Sequence, residues 1–593
     1  MSSPTLRRPR PGALLLLLLA LALLSLVAVL AADAAGGDNL VLMDAGPVAR
    51  LGAPIAATLA DLAGALTLGG AVVAGWLLRE EADRTRALAV VAGAAAVTTL
   101  ARGASLAFSY AIATGQPVGS PRFGSDLAVF LATDLGVWLL TALVAAAATT
   151  TVALLGTSQG LARAVAVLAG VVAFAAAMTG HAAGDQTHEV GTSTMLVHLL
   201  AVGIWVGGLA VLQILPRGRR DDLRVLRGYS HLALICWIAL AASGVWAIAV
   251  RMNGPADILT SPYVQIGLGK AVLLLALGGL GALQRRQLAT GFTASDDGRR
   301  ARATYRRLAL LELALMGLAV ALAAAMSSSP PPTDAGIPPP GAAGILTGYP
   351  LPPAPDLGTV LTQWRPDPFG MALACVLVLA WWRPTAPERP RRDSAMLVVG
   401  AALLVLLTSG PLNVYGKVLI SAHVLQHLLL LVPAGVLIGA AMPVPSRLRA
   451  LVGGRWWAAA LLALAGPALL VLAYIGPFLR VSLDGHAAHL ALQMLSLGGG
   501  ALTALAVRTV AGGGRRAVVA GLPLLLGVAA GMVLLVTDDL MAASWFGATG
   551  RDWGATALDD QHLTGVLVLV VACATALASA VVALAGRRRA PRA

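Results

Sequence analysis

Two histidines lie in the apolar stretch from Lys417 to Pro445, at positions His423 and His427. Residues four apart on an α-helix lie about 40° apart around its axis and about 6 Å apart along it, so both rings are expected on one face. A polar pair is costly in lipid and usually faces the protein interior. The spacing therefore predicts a ligand, proton or ion site, with a hydrogen bond between helices as the alternative.

Other histidines of the second half begin neighbouring apolar segments. The motif HAAH places His486 and His489 in an i,i+3 relation on one helical face, and His562 begins the last segment. Neutral imidazole is the commonest side-chain ligand for copper and zinc. Five histidines on three segments favour a metal site, whereas separate hydrogen bonds to neighbouring helices remain the alternative.

The first half carries a smaller set of candidate donors. MTGH supplies Met178 and His181, where the thioether is a soft donor suited to Cu(I), and His198 lies just inside the next apolar segment. His181 and His188 fall in a loop, where ordinary solvated histidines are equally expected. His231 lies near the opposite face and is left out of the site.

Four charged residues fall within or beside apolar segments of the first half: Asp61, Arg102, Asp134 and Lys270. They could line a path for cations, or they could be structural pairs that neutralise one another. Glu312 has too little sequence context for a role. The three cysteines stand alone, with no CxxC motif, and indicate ordinary packing rather than a thiolate metal site.

Composition places the chain in a membrane. Of its 593 residues, 58% are hydrophobic and 12% are charged, and the mean hydropathy is +0.82. Those charges are too few to cover a soluble protein of this length. The net charge of +14 does not imply nucleic-acid binding, because the basic residues form short clusters between apolar segments.

The apolar segments predict an all-α, polytopic membrane protein with about 16 transmembrane helices in two bundles. With a cytoplasmic N-terminus, about 33 of the 42 basic residues fall in loops assigned to the cytoplasm and about seven in outer loops. This asymmetry supports the count and places the C-terminus in the cytoplasm as well. It also places His423, His427, His486, His489 and His562 near the outer face.

The same reading divides the chain into five regions. A signal peptide or first transmembrane helix with an outer segment is followed by a first membrane domain, an extended proline-rich outer linker, a seven-helix membrane domain and a basic cytoplasmic tail. The boundaries are 1–53, 54–326, 327–365, 366–586 and 587–593.

The first membrane domain resembles the CopD family of copper-resistance and copper-uptake membrane proteins. The resemblance is carried by VHLLAVGIWVGGLAVL at 197–212, by GYSHLALICWIALAASGVWA, by SPYVQIGLGKAVLLLALGGLGALQRRQL and by RRLALLELALMGLAVALAA. It covers about 160–326 well and the earlier segments more weakly. It implies copper capture or translocation from the outer side, and it assigns Lys270 to a lysine that the family carries.

The second domain, over about 366–586, resembles the CtaG family, which is needed to assemble haem-copper cytochrome c oxidases. The resemblance is carried by SAHVLQHLLLLVPAGVLIGAAMP, GPFLRVSLDGHAAHLALQM, DDLMAASWF and DDQHLTGVLVL. It implies supporting roles for Gln426, Asp560 and Gln561 beside the histidines. Gln493 and Leu495 stand where the family commonly has further histidines, so the implied site is smaller. Fusions of the two families occur in actinobacteria.

These resemblances imply a copper-handling protein of the cytoplasmic membrane that is not an enzyme. Copper, as Cu(I) or Cu(II), would be held by imidazoles, and the partners would be membrane lipids, cytochrome c oxidase subunits and an extracytoplasmic copper carrier, without nucleic acid. Two alternatives stay open. One is a b-type cytochrome whose paired histidines hold haem, and the other is a proton-coupled transporter that uses the buried charges.

Overall fold

The computed structural model describes residues 11–36, 44–179, 188–215, 223–290, 296–327, 331–332, 339–382 and 389–588. Regular structure over these ranges is entirely helical. The chain forms two compact units, Met1–Gly336 and Ile337–Ala593. The prediction of an all-α fold is confirmed.

The first unit contains nine long helices. In chain order these are α1 (Pro11–Gly36), α2 (Gly46–Leu77), α3 (Glu81–Thr114), α4 (Asp134–Leu154), α5 (Gln159–Ala177), α6 (His188–Ile214), α7 (Leu223–Ala249), α8 (Pro262–Thr290) and α9 (Asp296–Ser327). Short helices at Leu127–Leu131 and Asp257–Thr260 precede α4 and α8.

The second unit contains seven long helices. They are α10 (Pro368–Trp381), α11 (Arg391–Ser409), α12 (Ile420–Ala441), α13 (Trp456–Ile475), α14 (His486–Arg508), α15 (Gly513–Val536) and α16 (Ala557–Arg588). Short helices of this unit lie at Pro411–Tyr415, Ser446–Val452, Phe478–Asp484 and Ala543–Phe546.

Fourteen helices of the described residues are long and apolar enough to cross a membrane. Of the two remaining long helices, α10 is apolar but shorter, at Pro368–Trp381, and α1 is apolar over Leu19–Ala32 within the part whose side chains are described. Each of these sixteen helices coincides with one of the sixteen apolar segments predicted from the sequence. The protein is therefore a polytopic membrane protein.

Small residues bring the helices of the first unit close together. A Cβ atom on Gly69 of α2 would overlap with the backbone of Gly208 on α6, so this crossing requires glycine. Threonine side chains inside the helices hydrogen-bond to carbonyls four residues earlier, as Thr58 does to Pro54 and Thr98 to Ala94. Their hydroxyls are thus satisfied without water, as a bilayer requires.

Two sequence expectations about local structure need correction. The apolar segment at about 126–154 predicts a single helix. Instead, Leu127–Leu131 forms a separate short helix, and α4 begins at Asp134, which is exposed. Threonine caps this start, because the side chain of Thr133 accepts from the Gly136 N–H. Asp134 therefore lies at a helix N-terminus rather than within a span.

The proline-rich linker also departs from the extended form expected of it. Within its described part it contains two short helices, Ala342–Thr347 and Leu357–Thr362. Asp356 caps the second of these in a reciprocal capping box with Thr359. The hydrogen bond from the Thr359 N–H lowers the pKa of the Asp356 carboxyl. Proline alone therefore does not keep this segment extended.

Candidate metal centre

Three buried imidazole rings meet near the N-terminal ends of α12 and α14. The ring centroids of His423 and His427 lie 4.7 Å apart, and that of His489 lies 5.6 Å from the first and 5.4 Å from the second. Each residue offers a potential ligand atom, and these atoms all lie within 4.8 Å of one another. We call these three residues the histidine triad. Within the described residues, no other three or more His, Cys, Asp or Glu side chains lie close enough together to hold a metal ion.

Hydrogen bonds fix which nitrogen of the two α12 histidines carries the proton. His423 Nδ1 lies 3.2 Å from the Gly416 carbonyl oxygen, and His427 Nδ1 lies 2.9 Å from the His423 carbonyl oxygen. A carbonyl oxygen only accepts, so each Nδ1 is the protonated, donating nitrogen. Both Nε2 atoms are buried without a hydrogen-bond partner. Each ring therefore presents an unshared lone pair, in the arrangement usual for metal-bound histidines.

Tyr474, near the C-terminal end of α13, completes the bonding around His427. Its hydroxyl oxygen lies 2.8 Å from His427 Nδ1 and 3.4 Å from the His423 carbonyl oxygen. The His427 N–H is thus shared between two acceptors, and the tyrosine O–H donates to the carbonyl. Tyr474 therefore holds the orientation of the His427 ring.

His489 reaches the triad from α14 and is 4% exposed. Its Nε2 lies 3.0 Å from the side-chain amide of Gln493, one helical turn further along α14. This is the position where the resemblance leads one to expect another histidine. The Gln493 side chain is buried and contacts the ring from the same helix. Gln493 thus orients His489 in place of adding a fourth imidazole.

The first turn of α12 is anchored by the carboxylate of Asp560 on α16. This carboxylate accepts hydrogen bonds from the Ser421 N–H, at 3.2 Å, and from the Ser421 hydroxyl. An anion at a helix N-terminus is favourable, because the first N–H groups of a helix have no acceptor within it. Ser421 precedes His423 by two residues, so this anchor fixes the end of α12 that carries the triad.

The two glutamines that were expected to support the site hydrogen-bond to neighbouring parts of the chain. The Gln426 amide donates to the Leu407 carbonyl of α11 at 2.8 Å and lies 3.3 Å from Asn413 Oδ1. Gln561 accepts from the Met541 N–H at 2.8 Å and donates to the Asp539 carbonyl at 3.0 Å. Neither side chain belongs to the triad. Gln426 ties α11 to α12, which carries two of the triad residues, and Gln561 ties the segment 539–541 to α16.

A close crossing of α12 and α14 sets the depth of His489 relative to His427. A Cβ atom on Gly500 would overlap with the Leu431 carbonyl oxygen, and one on Gly435 would overlap with the Leu497 carbonyl oxygen. Within α12, the segment Leu430–Gly435 is a π-helical turn that contains Pro433. Such turns are frequent at functional sites and here widen the helix just below the triad.

Two histidines predicted for the same site lie outside the triad. His486, the first residue of α14, is only partly buried and does not join the three. His562 Nε2 lies 3.1 Å from the Thr537 carbonyl oxygen, to which it donates a hydrogen bond. Its role in the structure is thus the helix-to-helix hydrogen bond considered as the alternative. All five were expected at a similar depth, but depth alone does not decide which side chains face one another.

The candidate donors of the first unit form no comparable cluster among the described residues. His198 Nδ1 lies 3.1 Å from the Ser243 hydroxyl oxygen, and Met178 is buried at the end of α5. His181 lies outside the described residues. Within the described residues of this unit, no three His, Cys, Asp or Glu side chains lie close enough together to hold a metal ion.

Two of the buried charges of the first unit form a pair. Arg102 donates to Asp61 at 3.0 Å, between α3 and α2. Lys270 Nζ lies 4.0 Å from the sulfur of Met326 on α9. Asp134 takes no part in this arrangement because it is the exposed first residue of α4. The ion pair fits the structural interpretation of these charges.

Tyr474 was missed by sequence reasoning. It is a single tyrosine near the end of an apolar segment. The only sequence feature that points to it is a phenol hydroxyl in an apolar environment, which needs a hydrogen-bond partner. Gly416 was missed because it contributes a backbone carbonyl. The local fold of the loop before α12, and not a side-chain pattern, determines where that carbonyl points.

The donor set fits a copper or zinc ion. Three neutral imidazoles can supply three nitrogen ligands, and two of them have buried, unpartnered Nε2 atoms. Imidazole suits both metals. The triad is buried among apolar and aromatic groups, including the Phe546 ring 6.3 Å from that of His423. A small ion with few ligands is the species that such a site can hold.

Different known families match the two units of the chain. Residues 43–191 match the family described as copper resistance protein D-like, N-terminal domain, and residues 223–326 match copper resistance protein D. Residues 373–590 match the cytochrome c oxidase caa3 assembly factor family. The block at 197–212, which carried much of the resemblance, falls between the two copper-resistance matches. The earlier segments, which resembled the family more weakly, have a match of their own.

Two curated relatives are uncharacterized proteins of Mycobacterium bovis and Mycobacterium tuberculosis. Each is 26% identical over 258 residues, which cover 37% of this chain and 39% of the relative. The chain thus spans well under half of the length of these relatives. No solved structure matches the chain.

Proposed function

Because the chain is a fusion of a CopD-like region with a CtaG-like region, we propose that it handles copper in the cell membrane. The CopD-like half captures or translocates copper from the outer side. The CtaG-like half delivers copper to a haem-copper cytochrome c oxidase or supports its assembly. Copper is cargo in this proposal, and no covalent chemistry on a substrate is required of the protein.

The histidine triad is the observation that carries the proposal. The two α12 rings are held with Nδ1 protonated and Nε2 unpartnered, which is how imidazole is prepared for a metal. Neutral nitrogen ligands bind an ion without fixing a negative charge in the membrane. Such a site can pass its ion to a partner by ligand exchange, because three ligands leave the ion open to a fourth.

The geometry argues against haem at this site. In bis-histidine ligation the two imidazoles approach the iron from opposite faces of a wide macrocycle. Here the three rings stand together, with centroid separations of 4.7 to 5.6 Å. A single small ion suits that spacing better. An absorption spectrum of the reduced, purified protein distinguishes the two, since haem gives strong visible bands and Cu(I) does not.

The proposal is tested in cells that carry the full-length chain with His423→Ala and His427→Ala. Cytochrome c oxidase activity and the copper content of the oxidase are expected to fall, while total cell copper stays unchanged. His486→Ala, on the same face of the membrane but outside the triad, is the matched control. Normal oxidase activity and copper content in the double variant would contradict the delivery role.

The copper-transport role of the first half needs its own measurement. Vesicles that contain the full-length protein are expected to accumulate copper faster than vesicles that lack it, with little effect of other cations. An equal response to unrelated cations would favour the transporter alternative instead.

A further inference from the structure

A carboxyl group lies buried inside the first unit, far from the histidine triad. Glu312 of α9 is 2% exposed. One of its carboxyl oxygens accepts a hydrogen bond from Trp205 Nε1 of α6 at 3.0 Å, and the other contacts the Gln284 amide of α8. Trp205 is itself held in place, because its carbonyl accepts from the Tyr229 hydroxyl of α7. Four helices therefore build this site.

Glu312 has no cationic partner in the part of the chain that the structure describes. No basic side chain lies within ion-pair distance of it there. The nearby arginines are engaged elsewhere, since Arg285 donates to the Ser230 hydroxyl and carbonyl, and Arg227 donates to the Leu288 carbonyl. Both groups that contact the carboxyl are neutral. A permanently ionised carboxylate at this place would be an unpaired charge in the membrane interior, which costs about 2.5–3.5 kcal/mol or more.

The two contacting groups can satisfy both forms of the carboxyl. Trp205 can only donate, and it does so whether Glu312 is neutral or ionised. Gln284 can donate through its NH₂ to a carboxylate, or it can rotate its amide and accept from the O–H of a carboxylic acid through Oε1. Both oxygens of the Glu312 carboxyl therefore keep a hydrogen-bond partner in either form. This is the arrangement expected of a site that binds and releases a proton.

Other titratable or charged groups lie on the helices packed around Glu312. The phenols of Tyr229 and Tyr305 interact with Glu312 and are neutral in the ordinary pH range. Asp61 is paired with Arg102. In sequence, helices α6 to α9 also carry His188, Glu189, His198, Arg224, His231, Cys236, Tyr263, Lys270, Arg286, Asp296, Asp297, Arg299, Arg300, Arg302, Arg306 and Arg307.

The position of the site indicates the side from which protons reach it. Gln284 directly precedes Arg285 and Arg286, and Glu312 lies five residues, about 7.5 Å along the helix, after Arg307. These arginines belong to the basic loop that the charge distribution assigns to the cytoplasm. The carboxyl is thus in the cytoplasmic half of the bundle.

We propose that Glu312 is a proton-binding site of the first unit, which alternates between a neutral carboxylic acid and a carboxylate as the Gln284 amide reverses. The ligand is a proton exchanged with cytoplasmic water. Such a group lets a cation that enters the bundle be balanced by a proton that leaves it, so that little net charge is moved into the membrane interior. The inference does not require that the cation be copper.

Infrared spectroscopy of the full-length protein in lipid nanodiscs tests the proposal. At neutral pH the wild type is expected to show the C=O stretch of a buried, neutral carboxylic acid, which gives way to carboxylate absorption as the pH is raised. Glu312→Gln, which preserves the shape and the acceptor for Trp205, is expected to lose this band. Asp61→Asn is the matched control and is expected to keep it, because Asp61 pairs with Arg102 and does not contact Trp205 or Gln284.

A second measurement keeps the test independent of any variant that fails to fold. Wild-type protein labelled with ¹³C at glutamate side-chain carboxyls is expected to show the band at lower frequency, whereas labelling of aspartate leaves it unmoved. Absence of a neutral carboxyl band at every pH, a band that persists in Glu312→Gln, or a band that moves only with aspartate labelling would each overturn the proposal.

Discussion

The imidazole ring of His489 on α14 lies 5.4 Å from that of His427 on α12, so a second helix completes the group that α12 begins. One helix alone can supply two imidazoles to one face, as His423 and His427 show. A third neutral ligand has to come from a neighbouring helix at the same depth. The geometry of the site therefore depends on how closely α12 and α14 pack, so substitutions where these helices cross can test it.

Loss of His489 is expected to weaken copper binding much more than loss of its neighbour His486. His489→Ala removes one of the three nitrogen ligands, and we expect affinity for Cu(I) to fall at least about tenfold, which is about 1.4 kcal/mol. His486→Ala is expected to bind as the wild type does, because His486 lies outside the triad. Competition with a chelator whose Cu(I) complex is coloured measures both affinities. Equal losses in the two variants would contradict the ligand set.

Removal of the Tyr474 hydroxyl is expected to weaken metal binding without removing a ligand. In Tyr474→Phe the His427 N–H loses an acceptor at 2.8 Å, and the ring is less firmly oriented. Outer groups of this kind are typically worth about 10- to 100-fold in metal affinity. The same competition assay measures the change, and the melting temperature of the metal-free protein serves as a check on folding. An unchanged affinity would show that Tyr474 does not position His427.

The Asp560 anchor is expected to contribute to stability and, indirectly, to metal affinity. Asp560→Ala removes two charge-assisted hydrogen bonds to Ser421, each of which typically contributes about 1.5–3 kcal/mol. We expect a lower melting temperature and weaker copper binding, since the first turn of α12 carries His423. Asp538→Ala is the matched control. Asp538 is exposed, and its replacement is expected to change stability by about 0.5 kcal/mol or less. Similar effects of the two variants would argue against the anchor.

The close crossing of α12 and α14 is tested by two neighbouring glycines. In Gly500→Ala the new methyl group meets the Leu431 carbonyl, so the helices must separate, at a typical cost of about 1–3 kcal/mol. His489 would then move away from the α12 histidines, and copper affinity should fall together with stability. Gly498 has open space at its Cβ position, so Gly498→Ala should be neutral or stabilise by about 0.5–1 kcal/mol. Equal copper affinities in the two variants would show that this crossing does not set the site.

Much of the fold and part of the candidate site could be predicted from the sequence. Membrane helices reveal themselves through long apolar segments and the placement of arginine, so all sixteen helices were predicted, and the i,i+4 spacing placed His423 and His427 on one face. The rotation of other helices leaves no such signal. His562 was expected at the same depth as the triad, yet its ring bonds to the Thr537 carbonyl. Glu312 received no role because its partners, Trp205 and Gln284, come from two other helices.

Local geometry limited the remaining predictions. Asp134 belongs to an apolar segment, but Thr133 provides a cap that starts the helix there and leaves the carboxylate at its exposed end. Gly416 supports His423 through a carbonyl, which no side-chain pattern reveals. The proline-rich linker contains short helices because Asp356 and Thr359 cap one another. Each of these features depends on a few backbone hydrogen bonds rather than on composition.

The copper bound by purified full-length protein tests the central claim most directly. Wild type and His423→Ala/His427→Ala are loaded with Cu(I) under reducing conditions, freed of excess metal by gel filtration, and analysed for copper per chain, with His562→Ala as the control. The account predicts that the wild type and the control retain the same amount of copper, and that the double variant retains less by about one ion per chain. Equal copper in the wild type and the double variant would contradict a copper site at the histidine triad.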